Sequence, residues 1–101
     1  MALTKWAFIY TLSANSVAPV FQTIGDEGCA LIAVGVPSTD MAAGVVSDLI
    51  EDGVQLIELC GAFGPQATAN VESAIGGRIP FGAVTYPCSE GSRLSSIFDT
   101  K

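Results

Sequence analysis

The stretch that decides the fold is Cys29-Ala-Leu-Ile-Ala-Val-Gly-Val36, a run of eight residues without a charged side chain. A strand that buries only one face alternates apolar with polar residues, whereas this run is nearly continuous in apolar residues. Such a run is typical of a parallel strand in a sheet that is covered on both faces. We therefore predict a parallel sheet with helices on both sides.

The segment that precedes this run contains a strand and a candidate helix. The first strand is predicted over Trp6 to Leu12. A helix is expected between this strand and Cys29, ending at Gly25 or Gly28, with one apolar face made of Val17, Val20, Phe21 and Ile24. The order strand, helix, strand is that of one βα unit followed by the start of the next.

The segment that follows the run repeats the same alternation. A second helix begins at Ser38 or Thr39 and ends at Gly53, because its apolar residues recur at helical spacing. A third strand is predicted over Val54 to Cys60, and a third helix runs from Pro65 to Gly76. A fourth strand over Ile79 to Tyr86 and a short helix over Arg93 to Phe98 follow, with Leu94, Ile97 and Phe98 pointing inward.

Four βα units predict an α/β fold in a single domain over residues 1–101. Parallel crossovers are right-handed, and the arrangement that we favour is a four-stranded parallel sheet in the flavodoxin-like order 2-1-3-4. The alternative is half of a βα barrel, completed by a second copy. In both folds ligands gather at the carboxyl ends of the strands, here those of strands one, three and four.

Composition narrows the classes of partner. Ten acidic residues against four basic residues give a formal net charge of −6, which disfavours binding to nucleic acid or to an anionic membrane surface. Half of the 101 residues are apolar, and a chain of this length buries only about 60–65% of its unfolded surface. We therefore expect a homo-oligomer.

The absence of histidine and the number of cysteines limit the chemistry. Without histidine there is no Ser-His-Asp triad, no Cys-His pair and no histidine-ligated metal. Cys29, Cys60 and Cys88 are an odd number at irregular spacing, which fits a reducing compartment and no zinc site. The apolar run after Lys5 is too short for a secretory signal, so we expect a cytoplasmic protein. We also expect no metal and no cofactor.

Glu58 is the unusual residue of the third strand. Period two places it on one face with Val54, Leu56 and Cys60. A carboxylate within an apolar strand is either paired at the strand end for structural reasons, or is desolvated and serves as a general acid or base.

Cys60 ends the same strand and is followed by Gly61-Ala-Phe63-Gly64-Pro65, which leads into a helix. The unpaired N–H groups at a helix start favour a thiolate or a bound anion. The loop has neither the spacing of a dinucleotide-binding motif nor a Walker lysine. The alternative for Cys60 is a small buried apolar residue.

The remaining candidates follow strands one and four. The hydroxyl groups of Tyr10, Thr11, Thr85 and Tyr86 are candidates for orienting a ligand, or for satisfying loop backbone groups. Arg93 is the base near these loops, where it either binds an anion or pairs with Glu90.

The stretch Leu56-Ile-Glu-Leu-Cys-Gly-Ala-Phe-Gly-Pro65, with Val34-Gly-Val36 before it and Gly82-Ala-Val-Thr-Tyr86 after it, resembles domain-of-unknown-function family 6506. The resemblance implies a compact single-domain α/β protein and assigns no activity. The E-L-C-G-x-F-G-P pattern matches here at Leu59 and at six further positions, and it favours the loop after strand three as the site. These positions are Glu58, Cys60, Gly61, Phe63, Gly64 and Pro65.

Three functions are consistent with these observations. The first is binding of a small polar or anionic metabolite, with Glu58 as polar anchor and the Gly61 to Gly64 amides receiving the anion. The second is a lyase, isomerase or hydrolase that uses Glu58 as base and Cys60 as acid or nucleophile. The third is a non-catalytic protein that assembles through its apolar surface.

Overall fold

The computed structural model describes residues 2–98, which form one sheet and three α-helices. The strands are β1 (Lys5–Thr11), β2 (Val20–Gly25), β3 (Ala30–Val36), β4 (Ile57–Leu59) and β5 (Phe81–Ala83). The helices are α1 (Ala42–Glu51), α2 (Pro65–Ile75) and α3 (Gly91–Phe98). Single 3₁₀ turns at Thr39–Met41 and Cys88–Glu90 precede α1 and α3.

The sheet has five strands in the order β2-β3-β1-β4-β5. The strands β3, β1, β4 and β5 are mutually parallel, and their order among themselves is 2-1-3-4 in the numbering of the predicted strands. The prediction of a four-stranded, purely parallel sheet is wrong, because β2 adds a fifth strand antiparallel to β3. The half-barrel alternative is also wrong, since consecutive strands would be neighbours in a barrel and β1 lies between β3 and β4.

The helix expected over Val17 to Ile24 is the strand β2. Its residues are rich in β-branched and aromatic side chains, which favour an extended backbone. A tight turn then returns the chain into β3: Gly25 has φ +131°, and Asp26 Oδ1 accepts hydrogen bonds from the N–H groups of Gly28 at 2.9 Å and Cys29 at 3.0 Å. This hairpin replaces the first crossover helix.

Within residues 2–98, the loss of that helix leaves one face of the sheet without a helical layer. The crossovers β3–α1–β4 and β4–α2–β5 both move across the sheet in one direction, so right-handed connections place α1 and α2 on one face, where they pack on each other. The step from β1 to β3 runs the opposite way, and its helix would have covered the second face. The prediction that both faces are covered is therefore wrong.

The hydrophobic core lies between the sheet and the helices α1 and α2. Fully buried side chains of β1, β3 and β4 meet those of the two helices, and the members include Ala7, Ile9, Val34, Val36, Val46, Ile57, Leu59, Phe63, Val71 and Ile75. The core is a single cluster on one side of the sheet.

The boundaries of α1, α2 and α3 agree closely with the sequence patterns, but the predicted inward packing of α3 is wrong. The helix α2 begins at Pro65 and ends at Gly76, whose φ of +60° is that of a left-handed helix cap. The helix α3 packs mainly on the 3₁₀ turn before it and contributes no residue to the core. Ile97 and Phe98 are therefore exposed rather than inward, and Leu94 is half-buried.

Candidate functional site

Two open depressions flank β4 and β5. The first, which we call the Glu58 depression, has a volume of about 270 Å³ and is lined by Leu56, Glu58, Phe81, Gly82, Ala83 and Val84. The second, the loop groove, has a volume of about 320 Å³ and lies where β4 and β5 end. It is lined by Cys60, Gly61, Phe63, Gly64, Pro65, Thr68, Ala69, Glu72, Ala83, Val84 and Thr85.

The loop groove is shaped by the turn from β4 into α2. Cys60 continues the ladder by donating its N–H to the carbonyl of Ile9 at 3.0 Å, and Phe63 N–H then bonds the carbonyl of Cys60 at 3.3 Å. Gly64 has φ +57°, a conformation that glycine adopts readily, and it positions Pro65 as the first residue of α2. Phe63 is buried in the core, which fixes the loop to the helix layer.

The start of α2 has no side-chain cap among the described residues. Thr68 Oγ1 donates a hydrogen bond to the Gly64 carbonyl at 2.7 Å, so this hydroxyl satisfies an acceptor and not the free amides. The first amides of a helix have no partner within it, and Pro65 has no N–H to offer. The amides of Gln66 and Ala67 are therefore the donors that the first turn of α2 presents.

Tyr86 lies directly against the loop. A Cβ atom built on Gly61 would be 2.6 Å from Tyr86 Cε2 and 2.7 Å from its hydroxyl oxygen. A residue with a side chain at position 61 would displace this ring, so glycine permits the observed contact between Tyr86 and the loop. The sequence singled out both residues, and the structure brings them into contact.

Glu58 lies on the face of the sheet that faces away from α1 and α2. Its neighbours in the sheet register are Phe8 on β1 and Gly82 on β5, and its side chain is half-buried. The flanking Ile57 and Leu59 point the other way and are fully buried in the core. Alternation along β4 thus places Glu58 opposite the helix layer.

The prediction that Glu58 and Cys60 share a face is wrong. The strand β4 ends at Leu59, and Cys60 packs against the core cluster and lines the loop groove, not the Glu58 depression. Val54 lies before the start of β4 and is likewise buried in the core, not on the face of Glu58. Period two holds from Leu56 to Leu59, whereas the prediction extended it from Val54 to Cys60.

Three predicted site residues lie apart from both depressions. Tyr10 covers Gly35 of β3, where an added Cβ would be 2.9 Å from Tyr10 Cζ. Thr11 is the last residue of β1 and pairs in register with Val36. Arg93 Nε donates a hydrogen bond to Glu90 Oε1 at 3.0 Å, and both side chains are exposed. This surface ion pair is one of the two alternatives that the sequence predicts for Arg93.

Several residues that line the loop groove were not predicted from the sequence. Thr68, Ala69 and Glu72 come from α2 and follow Pro65 by three, four and seven residues, which places all of them on one face of the helix. Ala83 and Val84 line both depressions at the end of β5. The spacing along α2 was the available signal for the first three.

Charge and thiol chemistry in this region are simple. The charged side chains that line the depressions in the described part of the chain are Glu58 and Glu72, both acidic. The three cysteines are free thiols, with Cys88 exposed and Cys29 and Cys60 half-buried. Within residues 2–98 no group of three His, Cys, Asp or Glu side chains is placed to hold a metal ion.

Comparison with known proteins gives one match, to the model of a family of unknown function, DUF6506, over residues 4–99. The chain belongs to this family. Searches of the curated proteins and of the solved structures found no match. Family membership therefore assigns no activity, and function must be argued from the geometry. Within the described range, every helix is too short or too polar to span a bilayer.

Proposed function

We propose that this DUF6506 protein binds a small polar or anionic metabolite in the loop groove, where β4 and β5 end. The observation that carries the proposal is a groove of about 320 Å³ that is lined by the glycine-containing loop, by the first two turns of α2 and by the end of β5. Free amides at a helix start favour a carboxylate or phosphate group. Grooves at the carboxyl ends of parallel strands are the usual ligand sites of open α/β sheets.

The lining residues divide the groove into a polar and an apolar part. Gly64, Thr68 and Thr85 supply backbone and hydroxyl groups, while Phe63 and Val84 supply apolar surface. Glu72 lies on the same helix face as Pro65 and Thr68, so its carboxylate opposes an anion. This combination favours a modest-affinity ligand with one anionic group and a small apolar body.

Glu58 retains a proposed role as polar anchor only for a ligand that reaches beyond the groove. The Glu58 depression and the loop groove share Ala83 and Val84. A ligand that extends past these two residues would meet the Glu58 carboxylate, which accepts hydrogen bonds from hydroxyl or amine groups. Glu58→Gln is then expected to lower the affinity for such an extended ligand. The affinity for a ligand confined to the loop groove is expected to stay unchanged.

Native mass spectrometry of the purified protein, before and after denaturation, tests for a bound metabolite. The proposal predicts a non-covalent adduct of a few hundred daltons that is released on denaturation. Isothermal titration of inorganic phosphate and acetate into the same sample then tests the anion preference. Absence of an adduct together with no heat from either anion contradicts the proposal.

Matched charge variants locate the binding site. Ala69→Glu adds a carboxylate to the groove and is expected to weaken phosphate binding about tenfold. Ser73→Glu adds the same charge to an exposed position of α2 that does not line the groove, and serves as the control. Glu72→Gln strengthens binding, with Glu51→Gln on α1 as its control. Equal effects of Ala69→Glu and Ser73→Glu contradict binding in the groove.

A second candidate function, an enzyme acting on a small metabolite, rests on the Cys60 thiol in the loop groove. Because Glu58 lines the other depression, the case for one acid-base pair of Glu58 and Cys60 is lost, and Cys60 alone would act as nucleophile. A double variant, Cys29→Ser with Cys88→Ser, leaves Cys60 as the single thiol. Its alkylation midpoint falls below about pH 8.5 if Cys60 is activated, and lies at or above that value if it is not.

A further inference from the structure

The face of the sheet opposite α1 and α2 carries large apolar side chains on the adjacent strands β1, β3 and β2, with Gln22 of β2 as a polar neighbour. Alternation along β1 points Trp6, Phe8 and Tyr10 to this face, and sheet register adds Leu31 of β3 and Val20 and Ile24 of β2. We call these six residues the aromatic face. In the order β2-β3-β1-β4-β5 the central strand is β1 and β2 is at the edge, so the aromatic face extends from this edge to the middle of the sheet.

Exposure values show that this face is only partly covered by the described residues. Val20 and Ile24 are 49% and 51% exposed, and Trp6, Phe8, Tyr10 and Leu31 are only half-buried although they lie on interior strands. A sheet covered on both sides would bury such residues as completely as Ala7 and Ile9 on the other face.

The distribution of charge leaves the aromatic face neutral. The chain has a net charge of −6, and five of its ten acidic residues lie at the end of α1, as Asp48, Glu51 and Asp52, or in the hairpin, as Asp26 and Glu27. Lys5 points to the helix side, where it bonds Asp52 at 3.3 Å. Glu58, beside Phe8, borders the face. Two copies of this acidic protein can thus meet through the six residues of the aromatic face without bringing like charges together there.

The chain as a whole exposes more surface than its mass predicts for a compact monomer. The chain exposes 6263 Å², whereas a compact monomer of 10.4 kDa exposes about 5400 Å². The excess of about 900 Å² is close to the roughly 800 Å² that each partner buries in a stable interface of standard size.

We propose that the aromatic face is the contact between two copies of this chain, which pack sheet against sheet around a twofold axis. The same patch meets itself in such an interface, and aromatic and branched side chains interdigitate between the two layers. The second copy then supplies the layer that the missing crossover helix would have formed. This inference is independent of the proposed ligand site, because none of the six residues lines the loop groove.

Sedimentation equilibrium on the full chain and two matched variants tests the proposal. Ile24 and Phe21 lie on the same strand and are similarly exposed, at 51% and 53%, but they point to opposite faces of the sheet. The wild type is expected to be a dimer of twice 10.4 kDa at micromolar concentration. Ile24→Lys raises the dimer dissociation constant about 100-fold, since it buries an unpaired charge, while Phe21→Lys changes it less than about threefold.

Each other outcome contradicts the proposal. A wild-type chain that stays monomeric at about 100 µM shows that the face does not bind a second copy, and binding of that monomer to lipid vesicles would give the face a different occupant. If Ile24→Lys and Phe21→Lys weaken the dimer equally, the two copies pair through the edge of β2 and not through the aromatic face. Circular dichroism confirms that the variants fold, and Val20→Lys on the same face repeats the test should Ile24→Lys fail to fold.

Discussion

The two faces of β1 have different neighbours although their residues alternate along seven positions. Ala7 and Ile9 face α1 and α2 and are fully buried, whereas Trp6, Phe8 and Tyr10 face away from both helices and remain half-buried. The larger side chains thus lie on the less buried face. Hydropathy alone does not separate the two faces, because burial depends on what each connection places over the sheet.

The largest effect is expected from truncation on the covered face. Ile57→Ala removes a fully buried side chain and lowers the free energy of unfolding by about 3 kcal/mol. Leu56→Ala, one residue earlier and only half-buried, costs about 1 kcal/mol. Urea unfolding followed by circular dichroism, in the Ile24→Lys background to exclude association, measures both. Equal losses would mean that the two faces are covered alike.

A second substitution tests the hairpin that replaces the first crossover helix. Gly25 has φ +131°, and a Cβ atom there would lie 2.3 Å from the backbone carbonyl oxygen of Cys29. Gly25→Ala therefore destabilises the protein by about 2 kcal/mol or more. Gly28→Ala is the control, because its Cβ meets only Asp26 Oδ1, at 3.6 Å. Thermal unfolding compares the two, and a neutral Gly25→Ala contradicts the hairpin.

The sequence predicted most of the covered half of the molecule. The apolar run Cys29 to Val36, the stripe of α1 and the pair Pro65 and Gly76 around α2 each specify one structure, because propensity, pattern and end signals agree. The segment over Val17 to Ile24 does not. Its apolar residues stand at helical spacing, yet the same segment contains Val20, Phe21, Thr23 and Ile24, which favour a strand.

The candidate site was predicted in part. The loop residues Cys60, Gly61, Phe63 and Gly64 do lie together in the groove with Thr85. Glu58 is separated from them because β4 ends at Leu59 and the backbone turns before Cys60. Where a strand ends depends on its neighbours, here the three-residue pairing of β4 with β1 and β5, and the sequence of β4 does not specify it.

The two glycines of the less buried face provide a finer comparison. A Cβ on Gly35 would lie 2.7 Å from Leu12 Cδ2 and 2.9 Å from Tyr10 Cζ, whereas a Cβ on Gly82 meets nothing within 4 Å. Gly35→Ala is expected to cost about 1–2 kcal/mol because both side chains must move. Gly82→Ala is expected within about 0.5 kcal/mol of wild type, on either side. A reversed order in urea unfolding contradicts the packing of Tyr10 over Gly35.

The smallest effect is expected from the ion pair that ties β1 to the end of α1. Lys5 Nζ lies 3.3 Å from Asp52 Oδ2 and also donates to the Asp52 carbonyl at 2.9 Å. Asp52→Asn keeps the carbonyl contact and lowers stability by less than about 1 kcal/mol, since exposed pairs contribute little. Glu90→Gln breaks the more exposed pair with Arg93 and leaves the unfolding midpoint unchanged. A loss above about 2 kcal/mol for Asp52→Asn contradicts this assignment.

The central claim, that a second copy covers the aromatic face, is tested most directly by the single tryptophan of the chain. Trp6 lies on this face and is half-buried in the isolated chain. Acrylamide quenching of its fluorescence is measured over a dilution series of the wild type and of Ile24→Lys. We predict that quenching falls and the emission shifts to the blue as the wild type is concentrated, while Ile24→Lys stays easily quenched. Quenching of the wild type that is independent of concentration and equal to that of Ile24→Lys contradicts the claim.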